Sequence, residues 1–113
     1  MLYLPILFLG LAAVGGLTLV WMKYTGKELP MYLALGHGLL AATGLVLLIV
    51  NVVMDMSMTL MNTALVLFVI VALGGFMLFS LYLRKKPLPN ALIAVHGMGA
   101  VISFLILLAA VLR

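Results

Sequence analysis

Four long apolar stretches, separated by short polar joints, constrain this chain more than any other feature. They run over roughly Leu2–Met22, Pro30–Val53, Thr59–Leu83 and Pro89–Leu112. Each matches the about 20 helical residues needed to cross a hydrocarbon core. The chain has 113 residues, 68% of them hydrophobic and 7% charged, with a mean hydropathy of +1.46, which excludes a soluble globule. The expected fold is therefore an all-α membrane protein, an antiparallel four-helix transmembrane bundle forming a single domain over residues 1–113. No basic residue precedes the first stretch, and it is longer than a signal peptide's apolar region, so it is expected to be retained as a span.

The two halves, about 1–54 and 60–113, align without a gap at an offset of 59. Gly15 and Gly16 fall on Gly74 and Gly75, Lys27 on Lys86, and Leu29-Pro30 on Leu88-Pro89. Leu33 falls on Leu92, His37-Gly38 on His96-Gly97, and Ala41 on Ala100. Glycine, leucine and alanine are common in any membrane sequence, but the chain has only two histidines and both lie in register. The chain thus reads as two repeated helical hairpins.

Charge supplies the expected topology. Lys23 and Lys27 lie in the first joint and Arg84, Lys85 and Lys86 in the third, whereas the second joint holds Asp55 and no basic residue. The positive-inside bias puts joints one and three in the cytoplasm and both termini outside. The net charge of +4 is explained by this topology and by lipid headgroups, with Trp21, Tyr24, Tyr32 and Tyr82 as interfacial anchors, and implies no nucleic acid. There is no cysteine, so any metal must be held by imidazole, thioether or oxygen.

The prolines of the two Leu-Pro pairs suit the first turn of helices two and four, where a missing amide donor costs nothing. Each histidine is the seventh residue after its proline. At a rise of ~1.5 Å per residue both imidazoles lie ~10 Å inside the cytoplasmic boundary. In an up-down-up-down bundle helices two and four are parallel, so the histidines share height and orientation about a pseudo-twofold axis along the membrane normal. Helices packed 8–10 Å apart in a square have a diagonal of roughly 11–14 Å, room for two imidazoles with a group between them.

Small residues surround that level. Gly15, Gly16, Gly74 and Gly75 lie near it on helices one and three, Gly38 and Gly97 adjoin the histidines, and Ala41 and Ala100 follow them by one turn. Missing bulk beside two symmetric imidazoles suits a flat, wide ligand. The expectation is one b-type haem with His37 and His96 as its metal ligands, since neutral imidazole is a suitable haem donor. Its propionates would face the cations of joints one and three. The alternative is that each histidine is satisfied by a hydrogen bond to a neighbouring helix, with the glycines as packing seams.

The residues Gly15, Gly16, His37, Gly38, Gly74, Gly75, His96 and Gly97 give the chain its resemblance to the small four-helix membrane b-type cytochromes, the cytochrome b561-like proteins and respiratory haem-anchor subunits. The resemblance implies a bacterial inner-membrane electron carrier with quinol or a redox protein as partner, standing as a homo-oligomer or a subunit of a complex. Many such cytochromes hold two haems on four histidines, whereas two histidines here permit one bis-histidine haem per chain. Such a haem leaves much of a ~30 Å core uncrossed, so a lone protomer is not expected to carry electrons across the membrane.

Other functions are less well served. Size and span number also resemble the small multidrug transporters, but the first span lacks the carboxylate that couples them; Glu28 and Asp55 lie in joints. No chain of acids and hydroxyls extends from the histidines to make a proton channel. Met54, Met56, Met58 and Met61 have thioethers suited to Cu(I), although methionine is also a common apolar filler. A structural subunit without haem is the remaining alternative. Ser57, Ser80 and Ser103 have no acid–base partner at a recognisable spacing, so an enzyme, if this is one, would be redox rather than hydrolytic or transferase.

Overall fold

The start and stop signals of the chain resolve into four helices in the computed structural model, which describes residues 3–54 and 59–112. They are α1 (Tyr3–Tyr24), α2 (Met31–Met54), α3 (Thr59–Leu83) and α4 (Asn90–Leu112). All four are long and apolar enough to cross a membrane. The Pro30 carbonyl accepts the amides of Leu33 and Ala34, and the Pro89 carbonyl that of Ile93. Each proline therefore stands at the threshold of its helix, contributing an acceptor where its absent N–H is not missed.

The ends of α1 and α3 use one device. Gly26, with φ 79°, and Lys85, with φ 57°, take the left-handed conformation 59 residues apart. The Lys27 amide then reaches back to the Met22 carbonyl at 2.9 Å and Gly26 to Lys23 at 3.3 Å. Lys86 to Leu81 at 2.9 Å and Lys85 to Tyr82 at 3.1 Å repeat the pattern. This is the Schellman closure, which satisfies the last carbonyls of a helix. Glycine occupies the left-handed position without penalty, whereas lysine is strained there by about 1 kcal/mol. Lys85→Gly is thus expected to raise stability by up to about 1 kcal/mol and Gly26→Ala to lower it by a similar amount, read as opposite shifts of the unfolding midpoint in detergent.

The chain divides into two compact units, Met1–Met54 and Asp55–Arg113. In the first, α1 packs on α2 in reversed order: Gly16 faces His37, and Gly44 faces Leu9. In the second, α3 packs on α4 likewise, with Gly75 against His96 and Val71 against Gly99. Pro5, Leu9, Gly44, Leu48 and Asn51 are buried in the first hairpin. Their counterparts 59 residues on, Ala64, Phe68, Ser103, Leu107 and Ala110, are buried in the second. Most other large apolar side chains lie open, Leu17 and Phe76 among them.

Hydroxyls and amides along these helices turn inward to their own backbone. Thr18, Thr43, Thr63 and Ser103 each donate to the carbonyl four residues earlier, and Asn51 Nδ2 does the same to Leu47. Among the described residues no buried side-chain nitrogen or oxygen lacks a partner. Where no water can substitute, such local bonds are what allow a polar group on an apolar helix.

Candidate functional site

A helical carbonyl points toward the next turn and lies beneath the side chains three and four residues ahead, because helical Cβ atoms lean back toward the N-terminus. When both of those residues are glycine, the carbonyl is open from the side. Gly15 and Gly16 stand three and four residues after Ala12, and Gly74 and Gly75 stand likewise after Val71. Each pair exposes one backbone oxygen of its helix.

An imidazole occupies each opening. His37 Nδ1 lies 2.7 Å from the Ala12 carbonyl oxygen, and His96 Nδ1 lies 2.9 Å from that of Val71. A carbonyl can only accept, so Nδ1 is the donor and carries a proton in each ring. The acceptor carbonyl has a second lone pair, which serves the Gly16 or Gly75 amide of its own helix. Both histidines are half-buried, each on the seam of its own hairpin about two turns from the start of its helix.

The glycines meet the imidazoles closely but unequally. A Cβ at Gly16 would lie 3.0 Å from His37 Cε1, and one at Gly75 would lie 2.9 Å from His96 Cε1. At Gly15 and Gly74 the nearest atoms would be the histidine Cβ atoms, at 3.5 and 3.8 Å. The space expected from the two glycine pairs is therefore where the hairpin's own imidazole lies. At Gly38 and Gly97 an added Cβ would meet nothing within 4 Å. Ala41 and Ala100, one turn beyond the histidines, are half-buried. Beside His96 runs a groove of about 150 Å³ bordered by Val71, Val95, Gly99 and Ser103, so its own hairpin does not wall the ring in.

The cations of the joints are exposed. Lys27 Nζ sits 4.4 Å from the centre of the Trp21 ring and Lys23 Nζ 5.5 Å from that of Tyr24. Arg84 Nε bonds back to the Ser80 carbonyl at 3.3 Å, close to the stacked rings of Phe79 and Tyr82. These belts of cation and aromatic match what a membrane–water interface favours. Of the four methionines considered for copper, Met54 is exposed and Met61 buried, while Met56 and Met58 lie outside the described residues. Among the described residues no three of histidine, cysteine, aspartate and glutamate come together.

The two backbone acceptors, at Ala12 and Val71, are the participants that residue types do not reveal. Their one signal is the glycine pair three and four positions downstream. What the arrangement offers chemically is two imidazoles, each held through Nδ1–H by a main-chain oxygen. The chain matches no protein-family model, no curated protein and no solved structure.

Proposed function

We propose that this protein is a one-electron carrier of the membrane that binds one haem b between α2 and α4, with His37 and His96 as the residues that would hold its iron. The observation that carries the reading is the pair of matched Nδ1–carbonyl bonds. Histidines that bind metals almost always donate the other ring N–H to a carbonyl, carboxylate or water, which fixes the tautomer and makes the ring a better donor. Both histidines of this chain are held so, by equivalent atoms of equivalent helices. The donor set fits the group: two imidazoles whose Nδ1 atoms are engaged by main-chain oxygens, which leaves Nε2 as the atom that would meet iron.

In this reading the four helices cross a bacterial inner membrane as an antiparallel bundle of two repeated hairpins, with joints one and three cytoplasmic. Gly38, Gly97, Ala41 and Ala100 keep the faces beside the ligands low, and the cations of the joints supply partners for carboxylates at the membrane boundary. When bound, the haem supplies reversible one-electron exchange with a quinol or a redox protein. The protein's own residues hold the ligands, keep the site apolar and leave no imidazole to spare for a second haem. Two ligands at one iron favour electron transfer over oxygen binding.

The test is a reduced-minus-oxidised visible spectrum of the detergent-purified protein, with haem quantified per chain. A sharp low-spin b-type spectrum at about one haem per chain is expected. Absence of haem after reconstitution would overturn the reading and make the histidines clasps between paired helices, a role the imidazole's fit over Gly16 and Gly75 would by itself serve.

A further inference from the structure

We propose that Gly16 and Gly75 are positioning residues that tune the ligands: by leaving the Ala12 and Val71 carbonyls open they hold each imidazole as the Nδ1–H tautomer and set the strength of its Nε2 donor. The inference rests on the bis-histidine reading for its consequence at iron, but the tautomer lock itself belongs to the hairpins. Three observations meet in it. The Nδ1–carbonyl distances are 2.7 and 2.9 Å. The acceptors stand four residues before the two glycines in both hairpins. A Cβ at either glycine would come to 3.0 or 2.9 Å of the ring's Cε1, nearer than at any other glycine that faces an imidazole.

The chemistry follows from the direction of the push. An alanine at 16 or 75 has no backbone to displace, because the crowded atom is the far edge of the ring. The imidazole swings away and the bond to the carbonyl lengthens or breaks. An imidazole that no longer donates from Nδ1 is a weaker electron donor through Nε2, so it binds iron less tightly and stabilises the oxidised state less. The expected results are a loss of haem affinity of about 10- to 100-fold and a midpoint potential shifted upward.

Gly44 separates this role from mere packing. A Cβ there would lie 2.7 Å from Leu9 Cγ and 3.1 Å from the Leu9 backbone nitrogen, a harder clash in the same hairpin that touches no histidine. Gly44→Ala is therefore expected to weaken the hairpin while leaving the potential of any bound haem unchanged.

Two measurements on the full chain decide it. The first is ¹⁵N NMR of histidine-labelled wild-type protein without haem, in which both rings are expected as the Nδ1–H tautomer. The second is a redox titration, with haem-binding isotherms, of wild type, Gly16→Ala, Gly75→Ala and Gly44→Ala. An upward shift in the two histidine-facing variants but not in Gly44→Ala supports the proposal. Nε2–H rings in the haem-free wild type would overturn it even where that protein goes on to bind haem, and do so even if the alanine variants fail to fold. So would unchanged potentials in Gly16→Ala and Gly75→Ala. Wild-type protein that binds no haem would instead overturn the cofactor reading, and the tuning with it, while an Nδ1–H result would still establish the lock.

Discussion

Replacing either histidine with alanine is expected to yield a protein with all four helices intact and no retained haem. The two outcomes separate because they depend on energies of different size. An interhelical hydrogen bond in a membrane is worth about 0.6 kcal/mol on average, so losing the His37 bond to Ala12 or the His96 bond to Val71 leaves each hairpin largely as stable as before. The chain offers no cysteine and no third histidine to replace a lost imidazole. Haem per chain should fall from about one to near zero in His37→Ala and in His96→Ala, while circular dichroism and the detergent elution volume stay unchanged. Full haem content in both variants would rule the ligand assignment out.

Gly44→Ala should show the reverse separation. Gly44 is buried against Leu9, and the added methyl would press on both its side chain and its backbone nitrogen. Leu9 is itself buried and cannot simply rotate away, so α1 and α2 must move apart. Overpacking of this kind costs typically about 1–3 kcal/mol, more than the loss of a histidine's hydrogen bond. The variant should thus unfold at lower denaturant than either histidine variant and yet keep its haem. A Gly44→Ala protein as stable as wild type would show that the close approach of α1 to α2 at Leu9 is not required.

The helices were legible because hydropathy and length suffice to find them. The apolar stretch 59–83 coincides with α3, 89–112 differs from α4 by a single residue, and 30–53 differs from α2 by one at each end. The end of α1 extends to Tyr24, past Trp21 and Lys23, to the closure that Gly26 makes in the left-handed conformation. The offset of 59 was visible in the histidines and prolines. Its extension to the caps was not, since Gly26 and Lys85 share a backbone conformation and no side-chain chemistry.

The site was legible in part. The histidines and glycine pairs stand out by rarity and register, and they do meet, Gly15 and Gly16 at His37 and Gly74 and Gly75 at His96. Residue types could not tell whether the missing side chains make room for a ligand or for the hairpin's own ring. That distinction depends on the rotation of each helix about its axis. Gly38 and Gly97 illustrate it: adjacent to the histidines in sequence, they look away from the helix the imidazoles touch.

The oxygen that receives each imidazole proton belongs to the main chain, to an alanine in one hairpin and a valine in the other. Every residue carries that atom, so no substitution at position 12 or 71 can delete it. Half of the contact is thereby immune to mutation. What inheritance can vary is the doorway and the ring that comes through it, and the partner behind them leaves no letter in the sequence.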